Sequence, residues 1–196
     1  MRARSAGVVA GMGLNLALRL VIAGVVGHAL LRRDDPRYAG KAIGERGLVL
    51  VAASLVVPVL QLTTRRGERY PLATDNLYLS ISALDLAGNF ADLYDRHEHF
   101  DLIPHFHGTG AATVVIAILT RRSLRSAIGV TQLAHVGLEA QEYYSDVRFG
   151  LRNVRGKSDT VTDLLAGAAG SVVYAGIAHR RWHGRRQRAQ HRPPAR

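Results

Sequence analysis

Three observations predict an all-α fold, a polytopic membrane helix bundle of about six transmembrane helices. Two apolar runs, Gly47 to Thr64 with 18 residues and Leu102 to Thr120 with 19, carry no formal charge when the histidines are neutral. Each is long enough to cross a hydrocarbon core of about 30 Å. Arginines punctuate the ends of such segments instead of lining one face. Nine of the 15 acidic residues fall in short stretches that alternating crossings bring to one end of the bundle. The mean hydropathy of the whole chain is only +0.02, because arginine-rich connectors and tail offset the apolar segments.

Six helical segments follow in order. The first runs from about Gly7 to Leu31 and is interrupted by Asn15, Arg19 and His28. Its basic start resembles a signal peptide, but its length and Arg19 favour a retained anchor. The second spans about Gly47 to Thr64, with a kink expected at Pro58. The third spans Thr74 to Tyr94, the fourth Leu102 to Thr120, the fifth Leu124 to Tyr144 and the sixth Asp159 to about Ala178. Small residues four apart, Gly7/Gly11 and Ala166/Gly170, suit close packing of membrane helices. Residues 1–182 form one transmembrane domain, and residues 183–196 read as a basic, disordered tail.

Charge and composition narrow the function classes. The net charge is +11, but seven arginines lie beyond His179, and without them it falls to +4. The basic residues do not gather on one face, so no nucleic-acid partner is expected. Cysteine is absent, which removes disulfides and thiolate metal sites. Ser123 and Ser171 lack a base-and-orienter pair, and no phosphate-binding glycine loop occurs. Counting basic residues on either side places both termini in the cytoplasm. The basic C-terminal tail then faces anionic lipid headgroups, and Tyr174 and Trp182 are placed in an interfacial belt.

The acidic residues carry the functional reading. Asp92, His105, Glu142 and Asp163 each sit about one turn inside the extracytoplasmic boundary, and Asp95, Asp101, Asp146 and Asp159 sit at it. Ser82, Asp85, Asn89 and Asp92 share a helix face, as do His135, Glu139, Glu142 and Asp146. Polar stripes in a membrane bundle most economically face one another. Three explanations fit them. They form a site for a divalent cation such as Mg, Mn, Ca or Zn. They form a proton relay or ion path. Or they are structural, with Asp101 and Asp159 capping helices and the rest pairing with Arg96, Arg148 or Arg152. Arg19 is matched with Asp85, and His97 and His99 are read as solvated.

The stretch from Tyr94 to Trp182 carries Tyr94-Asp95-Arg96, His105-Phe106-His107-Gly108, Glu139 with Glu142-Tyr143, Ser158-Asp159-Thr160 and Thr162-Asp163-Leu164. It resembles the YjdF-like bacterial inner-membrane proteins and, more distantly, the VanZ-like proteins. The resemblance implies a multi-pass plasma-membrane protein of unassigned biochemical activity. Its polar positions would be Asp101 or Asp95, His105, Gly108, Glu139, Glu142, Asp159 and Asp163, with His99-Phe100 as a competing match for His105-Phe106. The candidate polar site is therefore Asp92, Asp95, Asp101, His105, Glu139, Glu142, Asp159 and Asp163. His105, Glu142 and Asp163 are the candidate metal ligands, and Glu142 is the favoured base or ligand. The expected role is a carboxylate/His site near the outer face. A metal-dependent enzyme acting on lipid headgroups and a small ion- or proton-coupled transporter stand as alternatives.

Overall fold

A computed structural model describes residues 2–190 of the chain. Every regular element among them is helical. The order is α1 (Arg2–Leu31), a 3-10 turn (Pro36–Tyr38), α2 (Ile43–Ala53), α3 (Val56–Thr64), α4 (Leu72–Phe90), α5 (Leu93–Arg96), α6 (Leu102–Thr120), α7 (Leu124–Phe149) and α8 (Lys157–Gln190). Four segments are long and apolar enough to cross a membrane: Ala6–Leu31, Ile43–Thr64, Leu102–Thr120 and Lys157–Gly184. Helices α4 and α7 are not among them. Residues 183–190, expected to be disordered, continue α8, and residues 191–196 lie outside the described part.

Local chemistry sets the element ends. The Asp35 side chain accepts the Arg37 amide and starts the 3-10 turn at Pro36. Pro104 falls in the first turn of α6, where a missing N–H costs no helical bond. Ser123 caps α7 by accepting the Ser126 amide at 3.2 Å. Gly150 ends α7 in the left-handed conformation, φ 68°, with its N–H on the Asp146 carbonyl.

The Pro58 kink expected within the second segment is a full break one turn upstream, between α2 and α3. Pro58 has no N–H to offer the Ser54 carbonyl. That carbonyl is taken at 2.6 Å by Arg19 Nη1, and the neighbouring Ala53 carbonyl accepts the Tyr78 hydroxyl at 3.1 Å. Arg19 reaches Asp75 with Nη2 at 2.7 Å, not Asp85 as the sequence suggested. Asn15 and Tyr70 donate to the same Asp75 oxygen. Asp85 instead accepts the Tyr94 hydroxyl at 2.6 Å. Arg19 thus closes two accounts at once, an orphan carbonyl and a fully buried carboxylate.

Two groups of helices share α4 and α6 as their seam. Helix α1 packs on α2 and α4 around Ile22, Val26, Leu79 and Leu86. Helix α6 packs on α4, α7 and most extensively on α8. The α6–α8 approach needs glycine at Gly110 and Gly170: a Cβ on Gly170 would strike the Phe106 carbonyl, and one on Gly110 would meet the Tyr174 ring. Hydroxyls then bridge the helices. Thr109 donates to the Gly167 carbonyl at 2.7 Å, and Thr113 to Ser171 Oγ at 3.0 Å. Tyr174, expected in an interfacial belt, lies inside the bundle with its hydroxyl 2.8 Å from His107 Nδ1. By contrast, a Cβ on Gly7 meets nothing.

Gly170→Ala is therefore expected to lower stability by about 1–3 kcal/mol or more through overpacking against backbone, whereas Gly7→Ala is neutral or stabilising through helix propensity. Thermal unfolding in detergent measures both. Arg19→Ala strands the Asp75 charge and should cost about 3 kcal/mol. Arg19→Lys should recover only part, because a lysine cannot span Ser54 and Asp75 together.

Candidate functional site

His105, three residues into α6, is the centre of the one convergent cluster of acids and imidazoles that α6, α7 and α8 build among the described residues. Its Nδ1 stands 2.8 Å from His135 Nε2 and 3.7 Å from Glu139 Oε1, both on α7. His135 Nε2 and Glu139 Oε1 are 3.5 Å apart. On the opposite ring edge, Nε2 stands 3.4 Å from Asp101 Oδ1 and 3.9 Å from Asp163 Oδ2. The i,i+4 spacings of Asp101/His105 and His135/Glu139 place each pair on one helix face. Gly167 leaves the room the His135 ring occupies, since any Cβ there would collide with it.

The cluster is buried and incompletely satisfied. His135, Glu139 and Asp163 are each 3–4% exposed. His135 Nδ1, Glu139 Oε1 and Asp163 Oδ1 are buried with no hydrogen-bond partner. Three carboxylates surround two imidazoles in an apolar interior, and unpaired charges there are costly. An ion removes that cost. Donors of a four-coordinate zinc, held at 2.0–2.1 Å, stand roughly 3.3 Å from one another. The His105, His135 and Glu139 donor atoms, 2.8, 3.5 and 3.7 Å apart, bracket that spacing. Two imidazoles and a carboxylate suit borderline metals, and three protein donors leave a coordination position for water or substrate. Asp101 beside Nε2 stands where a carboxylate would orient the His105 ring if the ring bound a metal.

Of the sequence-predicted site residues, Asp101, His105, Glu139 and Asp163 come together. The others go elsewhere. Glu142, the favoured ligand, is three residues further along α7 and binds Arg46 Nη2 at 3.2 Å. Asp92 lies beyond the end of α4, in the left-handed region at φ 59°, and pairs with Arg96. Asp95 pairs with Lys41 at 2.7 Å. Asp159 accepts the Arg155 amide at the start of α8. Asp146 clamps the following connector by accepting the Asn153 and Val154 amides at 2.8–2.9 Å. Asp101, expected to cap α6, makes no capping bond and turns to His105. His97 and His99 are exposed, so His105 is the histidine the cluster uses. The reading of the sequence put His135 in a polar stripe but not in the site. Its four-residue spacing from Glu139 was the signal.

The connectors brace this end of the bundle. Arg46 joins Glu142 to Asn153, and Arg155 donates to the Tyr94 and Glu98 carbonyls at 2.6 Å. No family model, curated protein or solved structure matches the chain.

Asp146→Ala is expected to cost about 1–2 kcal/mol by freeing half-buried amides and to open residues 150–156 to protease. Asp95→Asn should cost under about 1 kcal/mol, since the Asp95 carboxylate is more than half exposed. The Lys41 ammonium holds the Asp95 carboxyl below the usual carboxylate range. That small contribution is complete above about pH 4, the unfolded value, and is lost as pH falls through the depressed folded value. Acid unfolding of wild type and Asp95→Asn checks the sign.

Proposed function

We propose that the chain is a multi-pass plasma-membrane protein that holds a divalent transition-metal ion between α6 and α7, near the extracytoplasmic ends of its helices. Its ligands are His105 Nδ1, His135 Nε2 and a Glu139 oxygen. The observation that carries this reading is the buried triangle of those three atoms, whose spacings suit one ion and whose Glu139 Oε1 has no other partner. In this reading α4 and α7 also cross the bilayer, giving six crossings with both termini in the cytoplasm. Their polar faces are turned inward, as burial of Asp75, Asn89, Thr131, His135 and Glu139 supports. The YjdF-like resemblance belongs to the same proposal, because His105, Glu139 and Asp163, three of its motif positions, lie in the cluster.

The chemistry that follows is metal-assisted hydrolysis at the outer leaflet. A bound ion lowers the pKa of a water in its free position and polarises a phosphoryl or carbonyl oxygen. Substrates that reach the ends of membrane helices at this depth are lipid headgroups. His105 and Asp101, the most exposed members of the cluster, face that approach. The chain's own part is to fix the donor geometry: Gly167 admits the His135 ring beside His105.

The test is metal analysis of protein purified in detergent without chelator. Bound Zn or Mn is expected in the wild type. Glu139→Gln and His135→Ala should weaken binding by more than about a hundredfold, beyond the usual loss on removing an outer-shell partner. Glu142→Gln should leave metal content unchanged, because Glu142 serves Arg46. A wild type free of metal after exposure to Zn2+ and Mn2+ refutes the proposal.

A further inference from the structure

Opposite edges of the His105 ring face different donor sets. Nδ1 looks toward His135 and Glu139, the pair assigned to the ion above. Nε2 faces Asp101 at 3.4 Å and Asp163 at 3.9 Å. That edge offers at most one N–H, so it can serve one carboxylate and not both. Both separations exceed the roughly 2.7–3.2 Å of a formed N–H···O bond.

Asp163 is 3% exposed, and its Oδ1 is buried without a partner. Asp101 sits at the start of α6 but makes no capping bond. Four basic side chains at this end are engaged elsewhere, Arg46 with Glu142 and Asn153, Lys41 with Asp95, Arg96 with Asp92, and Arg155 with main-chain carbonyls, and among the described residues no arginine or lysine pairs with Asp101 or Asp163. Two neighbouring carboxylates in an apolar bundle therefore face one imidazole edge and no fixed cation. One oxygen of each carboxylate and a His105 ring nitrogen lie within 4.8 Å of one another, a span that one ion can draw together.

We infer that Asp101, His105 Nε2 and Asp163 form a second divalent-cation subsite, and that the His105 ring bridges it to the ion held by His135 and Glu139. The inference rests on the metal reading of that first triad. With two carboxylates and one nitrogen, the second set is the harder of the two and takes Mn2+ or Mg2+ as well as Zn2+. Charge closes on this arrangement. Asp101, Glu139, Asp163 and an imidazolate supply four negative charges, which two divalent cations neutralise. As the second ion binds, the ring releases its remaining proton to water, and nothing is oxidised or reduced.

The experiment uses the full chain in detergent, stripped with EDTA, loaded with excess Zn2+ and desalted. Two zinc ions per chain are expected in the wild type and one in Asp163→Asn. Loaded with Cu2+, the wild type should show the reduced EPR intensity of two copper ions coupled through an imidazolate. Asp163→Asn should return the spectrum of an isolated ion. Asp101→Asn is the second variant, used if Asp163→Asn does not elute as a single species. One zinc in both wild type and variant overturns the second subsite and leaves the first standing. Two zinc ions in both aspartate variants also overturn the assignment, because the second ion then binds elsewhere. A wild type that takes no zinc overturns both subsites.

Discussion

The closeness of α6 to α8 governs the rest of the molecule. Two helices carrying ordinary side chains pack 8–10 Å apart, and at such a separation the Thr109 hydroxyl could not reach the Gly167 carbonyl across the interface, as it does at 2.7 Å. Gly110 and Gly170 remove the side chains that would hold the helices apart. Gly167 does something different. It leaves a hollow on α8 into which α7 inserts the His135 ring. The position of His135 against His105 is thus fixed by the absence of atoms on a third helix. Thr113, Ser171 and Gln132 then lock the three helices in register below the cluster.

Two buried polar groupings make a useful contrast. Asp75 is completely buried, yet one of its oxygens is met by a guanidinium, an amide and a phenol, so the chain itself supplies the counter-charge. The break between α2 and α3, one turn before Pro58, adds the Ser54 carbonyl that Arg19 also satisfies. That grouping explains itself as a structural lock. The His105 cluster does not. It has three carboxylates, no arginine or lysine within ion-pair distance among the described residues, and buried polar atoms on three residues left without partners, where the Asp75 grouping leaves only Asp75 Oδ1. Folding a chain around such a deficit is costly unless something positive completes it. The difference between the two groupings, and not the number of acids, separates a site from a scaffold.

Much of this was legible in the sequence. The apolar runs gave α6 almost to the residue, because a charge-free stretch between Asp101 and Arg121 has sharp ends. Rise per residue along a helix is fixed, so spacing alone puts His105, Glu142 and Asp163 about one turn inside the boundary and Asp101 at it. Depth favours Glu142 over Glu139, and the structure reverses that choice. Three residues apart, they share a helix face and differ by less than one turn in depth. Which of them meets His105 depends on the rotation of α7, and Arg46, more than ninety residues away in the chain, captures Glu142. Arg19 was misassigned to Asp85 for a related reason. Its partner follows from where the second segment breaks, which needs the freed Ser54 carbonyl. Asp75 carried no signal of its own, standing close to the start of α4 like any acid in a first turn.

Exposure orders the cluster from the solvent inward. The side chain of Asp101 is 19% exposed and that of His105 11%; Glu139 and Asp163 follow at 5%, and His135 at 2%. An ion entering from this end of the bundle meets the Asp101 carboxylate first, then the His105 ring, and the His135 ring last. Oxygen ligands exchange readily with water, whereas nitrogen donors hold borderline metals more selectively. His105 belongs to both sets and is the only residue that does. Its ring has Asp101 and Asp163 at one edge and the more buried pair of His135 and Glu139 at the other. A cation held on the inner side would be screened from solvent by a residue that also binds it.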